Sequence, residues 1–299
     1  MSVLCMGEAL IDLVPQPDGS TRPQPGGGAW NTALALGRLG IPTSFAWPIS
    51  RDRYGELLLA PLAKAGVDTT ACIRSDRPTA TARIDLNNGN ATYHFDDENS
   101  VGRLFAPRDL PPIPQDCRAL LIGGISLIAE PCGSTVELFA TRAARQGISV
   151  MLGLNIRLQA IHNKTEYRAR LTRLIALSHI VKLSAEDAAW LAPGFPPETT
   201  AGALLPSGPR IVLLTKGAQG ALALSREHRI PMAAAPAIVA DSIGAGDSFN
   251  AGFLTSLIRA DSLDAPDAAA ITAALRLAAK VAAITVSRPG ADPPWAEEL

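Results

Sequence analysis

The sequence predicts an α/β protein with a mostly parallel central sheet covered by helices on both faces and a small β-sheet inserted as a lid. Short apolar, β-branched runs alternate with longer segments of helical periodicity, the pattern left by βαβ units. One stretch breaks that rhythm with strict period-two alternation, which marks strands with one polar face. The 299 residues, 47% hydrophobic and 18% charged, suffice for one large domain with a sizeable core. Residues 1–299 therefore read as a single domain, with 12–22 and 79–105 as the inserted lid.

In chain order, the first apolar run is Val3 to Met6. Around it, Glu8 and Asp12 interrupt an apolar stretch that has no basic leader, so a buried strand is expected and not a signal peptide. Helical spacing follows over Asn31 to Leu39 and Gly55 to Ala65. Thr79 to Phe95 reads TATARIDLNNGNATYHF, two alternating strands around an Asn88-Gly89 turn signal. Strand and helix then alternate: Ala119 to Ile122, Ser134 to Gln146, Ile148 to Leu152, Lys164 to Leu177 and Ile180 to Leu183. Pro193 to Pro209, rich in Pro, Gly, Ser and Thr, reads as a surface loop. A strand over Ile211 to Leu214 and a helix over Asp247 to Ala260 complete the series. Arg276 and Lys280 interrupt the alanine-rich stretch Ala268 to Val286, so no run reaches the roughly 20 apolar residues that span a bilayer.

Charge and cysteine content exclude several function classes. Lys+Arg 27 against Asp+Glu 28 leaves a formal charge of -1, which argues against a polybasic surface for nucleic acid or anionic membrane. Cys5, Cys72, Cys117 and Cys132 form no CxxC pair and have no His at ligand spacing, as expected of a reduced cytoplasmic chain.

The most informative segment runs from Ile238 to Phe253, IVADSIGAGDSFNAGF. A strand ends, Gly244 and Gly246 allow a tight turn, and an amphipathic helix follows with Phe249, Phe253, Leu254 and Leu257 on its apolar side. Free N–H groups at a helix N-terminus can hold a phosphate or a developing anion. Asp247 beside them is placed to take a proton from an attacking hydroxyl. Alone, it could equally be a helix cap. There is no GxxxxGKS/T loop, and GAGDSF lacks the last glycine of a dinucleotide fingerprint.

Other segments add to this one. They are Gly7-Glu8-Ala9-Leu10-Ile11-Asp12, Pro25-Gly26-Gly27-Gly28-Ala29-Trp30-Asn31, Ser50-Arg51-Asp52-Arg53-Tyr54-Gly55, Gly66-Val67-Asp68-Thr69, Thr215-Lys216-Gly217-Ala218-Gln219-Gly220 and Arg288-Pro289-Gly290-Ala291. With Asp241-Ser242-Ile243-Gly244-Ala245-Gly246-Asp247 they resemble, in order and over nearly the whole chain, the PfkB or ribokinase-like carbohydrate kinases. That family includes fructokinases, ribokinases and 2-keto-3-deoxygluconate kinases.

The resemblance implies a ribokinase-like fold and transfer of the ATP γ-phosphoryl group to a sugar hydroxyl. Asp247 would be the base, and the amides of Gly244, Ala245 and Gly246 the anion hole. Asp12, Asn31 and the Gly26-Gly27 turn would bind the sugar, with Arg157 reaching the phosphoryl group. Asn155, Ser184, Thr215, Gly217 and Gly220 would lie at the nucleotide. Asp187 or Glu186 would place Mg²⁺ through water, and Asp241 and Ile243, with the Arg288 to Ala291 loop, would hold a monovalent cation such as K⁺. Fructose is the sugar implied by the GEALID opening, by Ser184 and by Tyr93-His94-Phe95. Alternative readings are another substrate of the family (2-keto-3-deoxygluconate, ribose or a nucleoside) or a sugar-binding regulator without turnover. Gly153 and Leu154 depart from the family, most of whose sugar kinases show D-P-N-x-R there, while Asn155 and Arg157 are kept. A homodimer through the lid is a further expectation.

Overall fold

The computed structural model describes residues 1–16, 18–87 and 90–299, and the side chains of those residues except 84–93. The Asn88-Gly89 turn signal and the Tyr93 side chain thus lie outside the described residues. The chain opens with β1 (Ser2–Met6), buried at every position. β2 (Leu10–Pro15) and β3 (Thr21–Gly26) form an antiparallel pair, and α1 (Gly28–Arg38) starts directly after the glycine run. β4 (Thr43–Phe45) and β5 (Ile49–Ser50) precede α2 (Arg53–Lys64), capped by Asp52, which accepts from the Gly55 N–H. β6 (Arg74–Ser75), β7 (Thr81–Asn87) and β8 (Asn90–Asp96) follow. Next come β9 (Cys117–Gly123), α3 (Cys132–Arg145), β10 (Ser149–Gly153), α4 (Lys164–Leu177) and β11 (Ile180–Ser184). The remainder is α5 (Ala185–Leu191), α6 (Pro197–Gly202), β12 (Ile211–Thr215), β13 (Ala221–Leu224), β14 (Arg229–Met232), α7 (Ala245–Arg259) and α8 (Ala268–Val286).

Among the described residues the main sheet has the order β14-β13-β12-β11-β10-β9-β1-β4. It is parallel from β12 to β4, and β13 is antiparallel to both of its neighbours. The parallel strands read as continuous apolar runs because helices flank the sheet and leave neither face to water. Their carboxyl ends, at Met6, Gly123, Gly153, Ser184 and Thr215, open on one edge, where open α/β sheets place ligands.

A second sheet, in the order β3-β2-β7-β8, stands apart from the first. Its strands cover 10–15, 21–26, 81–87 and 90–96. Residues 97–105 lie outside it: Arg103 pairs with Asp97 at 3.2 Å, the chain folds back, and Phe105 is buried against Trp47 with ring centroids 5.3 Å apart. Pro193 to Pro209 is not one loop. It contains α6, which starts on Pro197, a residue suited to a first helical turn, and buries Thr200 and Ala201. By length and composition α8 is apolar enough to cross a bilayer. Its buried side, Ile271, Ala274, Leu275, Ala278 and Val281, belongs to the core, and the helix packs on α7. The two helices meet closely at Gly252, where a Cβ would lie 2.7 Å from the Ala278 Cα.

Candidate active site

The Gly244-Ala245-Gly246 turn is built by backbone geometry. Gly244 adopts the left-handed conformation, φ +75°, as the N-cap of α7, and a Cβ there would lie 2.7 Å from the Ala291 Cβ. The helix begins at Ala245, two residues earlier than the apolar periodicity indicates, because small residues at its start carry no periodic signal. Asp247 is therefore inside the first turn and is not the cap. The first amides of a helix have no carbonyl of the ladder behind them; the Ala245 N–H makes only a long 3.4 Å bond to the Ser242 carbonyl oxygen, so this turn offers donors to an anion.

Asp247 is half-buried, and its Oδ2 accepts from Asn31 Nδ2 at 2.8 Å, across 216 residues of sequence. Burial pushes its carboxyl pKa up, while Asn31, Lys182 and Arg157 pull it down. The net rise makes it a stronger proton acceptor than an ordinary aspartate. Asn31 Oδ1 is buried without a partner, an acceptor left over for a ligand hydroxyl.

The glycine run before α1 is a close approach. Gly27 has φ +115°, and a Cβ there would lie 2.2 Å from the Glu8 carbonyl oxygen. At Gly26 a Cβ would lie 2.6 Å from Asp12 Oδ2, so the turn is pressed onto the carboxylate. Burial lifts the Asp12 pKa to about 6, against the pull of the nearby Arg157 guanidinium. Glu8 accepts from the Gly28 N–H at 2.9 Å and from the Ser126 N–H at 3.1 Å, holding α1 to the segment after β9.

One cleft of about 540 Å³ contains Asp12, Gly27, Asn31, Asn155, Arg157, Ser184, Glu186, Asp187, Thr215, Gly217, Ile243, Gly244, Ala245, Gly246 and Asp247. An apolar recess of about 500 Å³ adjoins it, sharing Thr215, Gly217, Ser242, Ala245 and Gly246 and lined beyond them by Gly220, Ala233 to Ala237, Phe249 and Val286. Gly26 and Asp241 stand beside these cavities and do not line them. Gly220 has φ +87°, and a Cβ there would lie 2.1 Å from the Met232 carbonyl oxygen, so it shapes the β12–β13 turn. Asn155 Nδ2, Glu8 Oε1 and Asp247 Oδ1 converge on Gly28, which sets Asn155 on the Asp12 side of the cleft and away from the recess.

The two carboxylates considered for magnesium differ sharply. Asp187 closes a capping box with Ser184, and its oxygens accept from the Ser184 and Ile156 amides, each at 2.8 Å. Glu186 lines the cleft. Asp241 accepts from the Ile243 N–H at 3.0 Å and the Gly290 N–H at 2.9 Å, joining the Gly244-Ala245-Gly246 turn to the 288–291 loop. Among the described residues no group of His, Cys, Asp and Glu forms a ready metal cage. Two cleft residues to which sequence reasoning assigns no role are Glu8 and Lys182. Their one signal is a charge inside an apolar run.

A profile described as pfkB family carbohydrate kinase matches residues 1–298. The chain belongs to the pfkB family. A fructokinase of Rhizobium leguminosarum bv. trifolii is 42% identical over 259 residues, 85% of this chain and 79% of the relative. Among solved structures, aminoimidazole riboside kinase from Salmonella enterica, complexed with aminoimidazole riboside and an ATP analogue, superposes with a TM-score of 0.87 at 28% identity, over 97% of this chain and 95% of that one. A double mutant of Vibrio cholerae O395 fructokinase, with fructose, ADP and potassium bound, gives 0.88 at 25% identity, over 97% and 93%. The pfkB fold accounts for the mostly parallel sheet flanked by helices and for the separate small sheet. As a pfkB carbohydrate kinase, the protein is a phosphotransferase acting on a sugar hydroxyl.

Proposed function

We propose that the protein phosphorylates fructose with ATP, and that Asp247 is the base. The observation that carries the reading is the joint placement of a half-buried carboxylate, a glycine-built helix N-terminus and the unpartnered Asn31 Oδ1 in one cleft. A ketohexose seated between Asp12, Asn31 and the Gly26-Gly27 turn presents a hydroxyl to Asp247, which takes its proton as the oxygen attacks. The amides of Gly244, Ala245 and Gly246 steady the transferred group, and Arg157, near both Asp12 and Asp247, adds a cationic fork. The adenine lies in the apolar recess, with Thr215, Gly217 and Gly220 at its edge and Ser184 and Asn155 toward the phosphates and sugar.

Magnesium on the triphosphate supplies charge neutralisation. A single carboxylate plus substrate phosphates is a normal setting for that ion, so Glu186 fits and Asp187 serves the backbone. Asp241, the Ile243 carbonyl and the 288–291 loop are the candidate seat for potassium. Four free thiols support a reducing, cytoplasmic setting: burial raises Cys72 and Cys117 to about 11 and Cys132 to about 12. ADP release measured over fructose, glucose, ribose, 2-keto-3-deoxygluconate and aminoimidazole riboside tests the substrate. Fructose should give the highest kcat/KM, and a riboside exceeding it would replace fructose as the acceptor.

A further inference from the structure

We propose that Lys182 is a further catalytic residue, its ammonium contacting the phosphoryl group in flight between nucleotide and sugar. The proposal rests on the sugar-kinase reading of the cleft. Lys182 is the one charged residue of β11 and is 7% exposed. An ammonium held that deep is costly unless something meets it, yet no carboxylate among the described residues closes an ion pair with it. Asp247 and Glu186, both lining the cleft, feel its charge.

Its position is set beside one glycine and in register with another. A Cβ on Gly246 would lie 3.0 Å from Lys182 Nζ, so the ammonium sits directly under the first turn of α7. On the neighbouring strand its register partner is Gly153, and a Cβ there would have Asn250 Nδ2 at 3.3 Å as its nearest neighbour. Glycine at 246 leaves room beside Nζ. Gly246 borders both the cleft and the apolar recess, and Lys182 lines the cleft. The ammonium therefore stands where a group leaving the recess for the sugar must pass. A phosphoryl group carries its charge on three equatorial oxygens, and an ammonium brings three rotatable donors to them.

In the transfer, the sugar oxygen bonds to Pγ while the bond from Pγ to the bridging oxygen breaks. The electron pair stays on the β-phosphate of ADP, and the hydroxyl proton passes to Asp247. Lys182 keeps its protons and donates to a non-bridging oxygen throughout.

Lys182→Met keeps an unbranched side chain as far as Cε and removes the ammonium, so it is the first variant to make. Its kcat with fructose should fall about 10²- to 10³-fold, the usual loss for one such donor, while the fructose KM moves less than about threefold. Calorimetry adds a readout that a packing role would not move: affinity for a non-hydrolysable ATP analogue should drop, and affinity for ADP should not. Lys182→Arg should recover part of kcat. Lys182→Gln, which keeps a polar side chain without the charge, should show the same kcat loss and the same split between ADP and the analogue, and it decides the matter if the Met variant does not fold. Turnover within about threefold of wild type in the folded variant, or equal losses for ADP and the analogue, overturns the proposal. A wild-type protein with no sugar-dependent ADP release would instead remove the reading on which it rests.

Discussion

Asp247 is held between opposing influences, burial raising its pKa while the Asn31 amide, Lys182 and Arg157 lower it, and a proton acceptor needs that balance. Asp247→Asn keeps the shape and an acceptor for Asn31 but removes the base, so kcat should fall about 10²- to 10⁴-fold, with fructose and ATP affinities nearly unchanged by calorimetry. Near wild-type turnover would reduce the residue to part of a helix turn. Asp12 offers a pH signature. Its folded pKa is about 6 against 3.8 for the free group, so it loses its charge as pH falls through about 6. The fructose KM should rise below that point, and Asp12→Asn should erase the inflection. Stability runs the opposite way. The folded state disfavours the carboxylate, so the contribution of Asp12 declines as pH rises from about 3.8 to about 6 and stays low above. The Asn variant should therefore gain on wild type in Tm between about pH 4 and about pH 7. Asp247 stood out in the sequence by its glycine turn, whereas Asp12 and Asn31 were reached only through the family resemblance; the structure brings all three to one cleft. Glu8 and Lys182 were not legible there, since their meaning comes from partners such as Ser126, 118 residues away, and from strand register.

At the level of elements, α7 carries the catalytic turn and α8 fixes α7. The contact at Gly252 leaves no room for a methyl group. Gly252→Ala should cost about 1 to 3 kcal/mol through overpacking, read as a lower urea midpoint with an unchanged slope; an unaltered midpoint would show that the pair can slide apart freely. The long elements of the sheet were readable from periodicity, because burial on both faces writes an unbroken apolar run. The β13–β14 edge was not readable: Ala221–Leu224 and Arg229–Met232 are four residues each and alternate weakly. Ser184 and Asp187 show the limit of motif spacing. A serine three residues before an acid suits metal placement and a capping box equally, and the two amides on Asp187 show that here it makes the box.

Over the whole molecule, the small sheet is wired to the sugar side of the cleft. β2 carries Asp12, β3 runs into the Gly26-Gly27 turn, and Phe95 of β8 lines the cleft. Any movement of that sheet moves sugar ligands with it, and closure would exclude water from the transfer. Amide hydrogen exchange in β7 and β8 should slow on adding saturating fructose. Unchanged exchange would mean that the sheet is a fixed wall. The Asn31–Asp247 hydrogen bond ties α1 to α7 across most of the chain. During synthesis the sugar-binding turn emerges early, β1 must wait for β9 to gain its inner neighbour, and the base comes after the last strand of the sheet. A nascent chain can thus assemble much of its scaffold while it still lacks the group that accepts the proton. If Asp247 is the base, phosphoryl transfer must wait until translation has passed residue 247.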